Sequence, residues 1–184
     1  SWPPPNSWRK TKNRSLYSSK ITNLMEITRT EKMVGIVLVF VLLLLTLSGS
    51  YYFFFMLKVN FVQWLVYNAC SPSSLVYLLC FMIFLVKRKI SYLPFAFLPM
   101  YYFGTMGLFT FTWSGANVFA QLSHITMTLN LLWAGYMLHR IGNHKATAWG
   151  LLWSILFFVP YIAFVMYYSR THAEEINNLL QMTP

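Results

Sequence analysis

The chain reads as an all-α integral membrane protein, a bundle of about five transmembrane helices. Its N-terminus is predicted to be cytoplasmic and its C-terminus to lie on the opposite side. Three observations predict this. First, there is no Asp, and no Glu lies between Met33 and Ala173; the four acids are Glu26, Glu31, Glu174 and Glu175. A carboxylate is costly in hydrocarbon, so a stretch this long without one marks residence in a bilayer. Second, 57% of the 184 residues are hydrophobic and 19% are aromatic, with a mean hydropathy of +0.51. That is too apolar for a soluble fold of this size. Third, Lys and Arg alternate between dense and sparse along the chain. Seven lie in the N-terminal tail, one after span one, three after span two, none after span three, two after span four and one in the C-terminal tail. Five crossings with the N-terminus inside place every dense segment on the cytoplasmic side, as the positive-inside rule requires.

Residues 1–32 form a basic tail that begins with Pro3, Pro4 and Pro5 and holds Arg9, Lys10, Lys12, Arg14 and Lys20. It lacks the short apolar core of a signal peptide. From about Ser18 to Lys32, the spacing of Ile21, Leu24, Met25 and Thr28 allows an amphipathic helix lying in the membrane interface. The transmembrane domain is 33–168. Span one, about 33–57, is long enough to cross with tilt. Ser48, Gly49 and Ser50 interrupt its pattern near the far end, and Tyr51, Tyr52 and three phenylalanines follow as an interfacial belt. Span two, about 66–86, has Pro72 early, with Ser71, Ser73 and Ser74 able to satisfy backbone groups that the proline frees. Span three, about 90–112, carries Pro94 and Pro99, and its Gly104 and Gly107 are small enough to admit a neighbouring helix. Trp113, Ser114 and Gly115 make a short turn. Span four is about 116–138 and span five about 146–168, with Pro160 inside it. Residues 169–184 are a polar C-terminal tail.

The polar residues of the spans are patterned. On span four, Asn117, Gln121, His124, Thr128, Gly135 and His139 fall within a sector of roughly 80° at helical spacing. Ser123, Thr126 and Asn130 widen this stripe. Span five carries Thr147, Gly150, Ser154, Tyr161 and Tyr168 on one face. Shorter sets are Tyr101, Thr105 and Thr112 on span three, and Asn60, Gln63, Tyr67 and Ser74 around span two. The ordinary role of such groups is to hold transmembrane helices together by hydrogen bonds. The functional alternative is an outward-open, uncharged polar pocket around span four, lined by Asn117, Gln121, His124, Thr128, Asn130, Ser154 and Tyr161. Either role predicts span four at the centre of the bundle, and span one, mostly Leu, Val and Phe, at its edge.

No phosphate loop, nucleophile elbow, zinc motif or HExxH occurs, and carboxylate chemistry is excluded from the spans. An enzyme is therefore not expected, because acid–base work would fall to His124 and tyrosines alone. The net charge of +10 sits at span ends. It implies contact with the lipid bilayer, and with anionic lipids at the basic tail, rather than with nucleic acid. Cys70 and Cys80, ten residues apart on one segment, are not expected to form a disulfide. With no counter-charge in the spans, the expected ligand is neutral or lipid-like, bound or transported through the span-four pocket. The alternative is an accessory or structural subunit among other membrane subunits. No cofactor or metal is predicted outright. Ala120 lies one turn before His124, and that AxxxH pattern resembles light-harvesting polypeptides in this one detail. It admits a haem or chlorophyll-type pigment on His124 in the accessory reading. Trp64, Trp113, Trp149 and Trp153 read as interface belts or packing.

Overall fold

A computed structural model describes residues 27–87, 89–110, 113, 115, 117–175 and 178. Most of the basic tail, Arg88, Thr112 and half of the C-terminal tail therefore lie outside the described residues. What is described is helical. Helix α1 is Arg29–Tyr51 and continues as a π-helical turn, Tyr52–Met56. After it come α2 (Phe61–Tyr67) and α3 (Cys70–Lys87). The chain then runs through a 3-10 segment (Ile90–Ala96), α4 (Phe97–Phe103) and a 3-10 turn (Thr105–Gly107). Helices α5 (Asn117–Ile141) and α6 (His144–Thr171) complete it. Three helical stretches are long and apolar enough to cross a membrane: Arg29–Met56, Cys70–Lys87 and His144–Thr171. Helix α5 has the length, 25 residues, but its polar row lowers its hydropathy. The region expected as span three is broken into short pieces.

The start of α1 has a local cause. Glu31 accepts from Thr28 N (2.9 Å) and Thr28 Oγ1 (2.8 Å), while Thr28 Oγ1 accepts from Glu31 N (3.3 Å). This is a capping box, Thr-x-x-Glu, which satisfies orphan donors of the first turn. Residues 29–32 thus belong to the first long helix, and only the earlier part of the expected interfacial helix lies outside the description. The expected interruption at Ser48–Ser50 does not occur; the helix passes through it and widens only at Tyr52. Gly49 faces α3, where a Cβ would make only an ordinary contact, 3.5 Å from Ser71 Oγ.

The remaining contacts lie within residues 35–184, a compact unit distinct from residues 1–34. The Ile90–Gly107 segment packs against α3, α5 and α6. It takes the central place expected of span four. Its backbone explains its form. Pro94 cannot donate to a preceding carbonyl and crowds the preceding turn, which disfavours an α-helix, and the backbone here is 3-10, whereas α6 continues through Pro160. Pro99 sits in the first turn of α4, where its missing N–H has no intrahelical partner to lose. Gly104 and Gly107 end the segment. A Cβ on Gly104 would meet Met127 Cβ at 2.8 Å, and one on Gly107 would sit against the His124 ring. Both glycines therefore admit α5, as expected. The segment ends near Gly107 rather than at residue 112. Leu108 is extended and Phe109 has φ 63°.

Contacts pair the segments level by level. Trp133 lies against Gly35 and packs at a tilt beside Phe81 (5.4 Å between centroids). Ser91 and Pro94 lie against Gly150. At the other end, Phe103 meets Tyr161 (5.6 Å) and Tyr67 meets Tyr168 (6.2 Å). We call these the basic end, for its Lys87, Lys89 and Lys145, and the tyrosine end. The core between them is Leu42, Tyr77, Phe81, Leu93, Met100, Met127 and Met137, all nearly inaccessible. Helices α1 and α6 keep only 17% of their apolar windows buried. Span one is thus peripheral, as its composition predicts. The turn from α5 to α6 uses Gly142 at φ +66°, where a side chain would be strained. Asn143 then caps α6 by accepting from Ala146 N (3.1 Å).

At Gly150 the close approach is to another segment's backbone: a Cβ would lie 2.5 Å from the Ser91 carbonyl oxygen and 2.9 Å from Pro94 Cβ. Backbone cannot yield as a side-chain tip can. Gly150→Leu should lower stability by about 1–3 kcal/mol, the usual range for overpacking. Gly135→Ala, with nothing within 4 Å of the new Cβ, should change it by less than about 0.5 kcal/mol. Thermal unfolding in mild detergent checks the pair. Equal effects would contradict this packing.

Candidate functional site

The polar row on α5 does not behave as one surface. Asn117 is exposed at the helix start. Gln121, His124 and Asn130 are buried, and Thr128 is half-buried. Towards the basic end the buried face passes through Met127, Ala134 and Met137, leaving His139 exposed. The helix therefore turns part of its expected stripe away from protein.

Several of the buried groups join helices. His124 Nδ1 lies 2.8 Å from the Gly107 carbonyl. A carbonyl can only accept, so Nδ1 carries the proton. Thr128 Oγ1 bonds its own-turn His124 carbonyl (2.8 Å) and lies 3.2 Å from Thr105 Oγ1. Asn130 Nδ2 donates to Leu38 O (3.2 Å) and Thr126 O (2.9 Å), tying α5 to α1. Tyr77 Oη donates to Asn130 O (3.1 Å), tying α3 to the same level. Buried side-chain atoms on six described residues lack a protein hydrogen-bond partner: both amide atoms of Gln121, Asn130 Oδ1, Ser154 Oγ, Trp64 Nε1, Tyr67 Oη and Asn68 Nδ2. Gln121 and Ser154 are completely inaccessible.

Helix α6 does present the predicted face to protein. Gly150 and Ser154 are buried and Tyr161 is half-buried. Tyr161 Oη donates to Leu65 O (2.7 Å), joining the end of α6 to α2 beside a small cluster of Val66, Ala69 and Val165. Gln63, whose own side chain closes a capping box with Asn60, also reaches Glu175. Ser73 Oγ bonds the Ala69 carbonyl (2.8 Å), one turn before it and beside Pro72. Cys70 and Cys80 are free thiols. Among the described residues no group of three or more His, Cys, Asp or Glu could hold a metal ion.

An open space lies elsewhere. A cleft of about 610 Å³ runs between α3, the 3-10 segment and α6. Helix α3 contributes Val76, Leu79, Cys80 and Ile83; the 3-10 segment contributes Ser91, Tyr92 and Phe95; α6 contributes Trp149, Gly150, Trp153 and Phe157. It contains none of the seven residues expected to line a pocket. Its walls are apolar and aromatic, and Leu79, Trp149, Trp153 and Phe157 are also exposed on the outer surface. The cleft is therefore open sideways, where acyl chains would lie. Part of it was visible in sequence, since Trp149, Trp153 and Phe157 recur every four residues. That signal reads equally as an interfacial belt. Only the approach of Gly150 to Ser91 turns the row into a wall. Comparison with protein-family models, with curated proteins and with solved structures finds no match.

The two roles of the polar row separate by substitution. His124→Leu removes one interhelical bond and should cost roughly 1 kcal/mol. Asn130→Leu removes two bonds from a fully buried amide and should cost about 2 kcal/mol. Exposed His139→Leu should cost nearly nothing. Chemical or thermal unfolding of the three variants checks this order, and an effect of His139→Leu as large as that of Asn130→Leu would contradict it.

Proposed function

We propose that this is a small multi-pass membrane protein that binds or transports a neutral or lipid-like molecule, with the lipid-like class favoured. The observation that carries this reading is the 610 Å³ cleft, apolar, aromatic and open to the side. Ligand sites are typically concave, mostly apolar and furnished with a few polar groups. The uncharged row around the fourth span remains part of the reading. Gln121, whose buried amide lacks a protein partner, is its best candidate for meeting a polar ligand atom. Asn117, His124, Thr128, Asn130, Ser154 and Tyr161 form its surroundings. No catalytic arrangement enters this account.

In the same proposal the chain crosses the membrane five times, with the N-terminus and the basic end cytoplasmic. The level-by-level contacts support it, because Gly35, Trp133, Ser91 and Gly150 mark one level and Gly107, His124, Tyr161 and Tyr67 the other. Successive segments then alternate in direction. The Lys and Arg distribution supports the same orientation. The basic tail would meet anionic lipids.

One observation favours a second reading, an accessory subunit of a larger membrane complex carrying a haem or chlorophyll-type pigment. With Nδ1 donating to Gly107 O, the neutral His124 ring has its acceptor nitrogen at Nε2, the tautomer an axial ligand uses.

Two measurements test these proposals. On a background lacking Cys70 and Cys80, a membrane-impermeant maleimide added outside should label Trp113→Cys but not Lys89→Cys; the reverse pattern overturns the orientation. The purified protein should be colourless and should retain a lipid-like molecule detectable by mass spectrometry. Ile83→Trp, which fills the cleft, should lower that retention at least about tenfold, the scale of losing one good contact region. A Soret or chlorin band lost in His124→Leu would instead favour the accessory reading.

A further inference from the structure

The cleft has a charged mouth. On α3 its wall runs along Val76, Leu79 and Ile83, and Lys87 lies one turn beyond Ile83 on the same side. On α6 the wall runs along Trp149, Trp153 and Phe157, and Lys145 lies one turn before Trp149. Lys89 stands two residues before the wall residue Ser91. All three lysines are exposed. They come from three different elements, yet each sits at the basic end of its own part of the wall. No carboxylate occurs between Met33 and Ala173, so this mouth has no acidic side chain of its own stretch to neutralise it. From Trp149 to Phe157 the cleft is roughly 12 Å deep by helix rise. An apolar slot open to the side, with cations at one end only, matches an amphiphile with a negative head.

We propose that this cleft is a binding site for an anionic glycerophospholipid of the bilayer. Its acyl chain lies along Trp149, Trp153, Phe157 and Ile83. Its phosphate faces Lys87, Lys89 and Lys145, with the Ser91 hydroxyl at the same level. The proposal rests on the reading of the cleft as a lipid-like site and adds the headgroup charge to it. The lysines act as point charges at the membrane surface, where each basic residue near anionic lipid contributes measurably. A phosphate with no net-neutralising group is therefore preferred over a zwitterionic head.

The test uses the full chain in lipid nanodiscs made with equal amounts of phosphatidylglycerol and phosphatidylcholine of matched acyl chains. Native mass spectrometry reads the lipids that remain bound after release. The wild-type chain should retain phosphatidylglycerol over phosphatidylcholine by at least about fivefold. Lys87→Gln, Lys89→Gln and Lys145→Gln together should bring that ratio near one while phosphatidylcholine retention stays unchanged. Lys58→Gln, at the tyrosine end, should leave the ratio as in wild type. Equal retention of both lipids by the wild-type chain overturns the headgroup assignment and leaves the cleft as a lipid site. A preference that survives the triple substitution, or that Lys58→Gln removes equally, overturns it too. Retention of neither lipid, or retention unaffected by Ile83→Trp, overturns the lipid reading of the cleft and this proposal with it.

Discussion

The structure depends on how the Ile90–Gly107 segment satisfies its backbone inside an apolar environment. Two prolines and two glycines disfavour one continuous α-helix there. A backbone exposed to lipid with open donors and acceptors is not tolerated. The chain resolves this with short 3-10 and α pieces held against protein on three sides. Proline positions decide where the pieces change. Glycines decide how close the neighbours come: Gly104 and Gly107 admit α5, and Gly150 on α6 admits the 3-10 backbone itself. Because the segment is thin and closely approached, α3 and α6 come near each other without touching along their full length. The cleft is what remains between them.

That origin gives the two halves different chemistry. Near the tyrosine end, polar groups are largely spent on holding helices together: Tyr161 on Leu65, His124 on Gly107, Thr128 beside Thr105. Near the basic end, side chains are apolar and aromatic, and the polar atoms are mostly the lysines outside. A polar solute would find few open partners in the first region. An amphiphile would find both of its requirements in the second. Trp64 Nε1, Tyr67 Oη, Asn68 Nδ2 and the Gln121 amide are exceptions, and Gln121 keeps a polar role open for α5.

Much of this was legible in the sequence, for identifiable reasons. Helix existence followed from apolar runs, and the peripheral place of α1 followed from its lack of polar groups. The roles of Gly104 and Gly107 followed from size. The narrow protein-facing side of α6 followed from the spacing of Gly150, Ser154 and Tyr161. The start of α1 could have been read from Thr28 and Glu31, a capping box hidden within an apparent amphipathic pattern. Helix–helix register was not legible. Gln121 and Met127 lie on different faces of α5 and both are buried, and only the actual partners, with Gly104 on Met127 and Gly107 on His124, decide how far the polar row stays inward. The cleft was not legible either, because its α6 wall begins at Trp149, 54 residues after Phe95 of the 3-10 wall, and meets that segment through Gly150. Pattern within one helix carries no information about a space between three.

The central claim is that the broken segment lies along α6 in one register, with Phe95 beside Phe157 and Phe103 beside Tyr161. Cysteine pairs at 95/157 and 103/161, placed in a chain lacking Cys70 and Cys80, test it in native membranes. A short bifunctional maleimide should cross-link both pairs, and a 95/161 pair should cross-link poorly. Failure of both matched pairs, with efficient cross-linking of 95/161, would contradict the account.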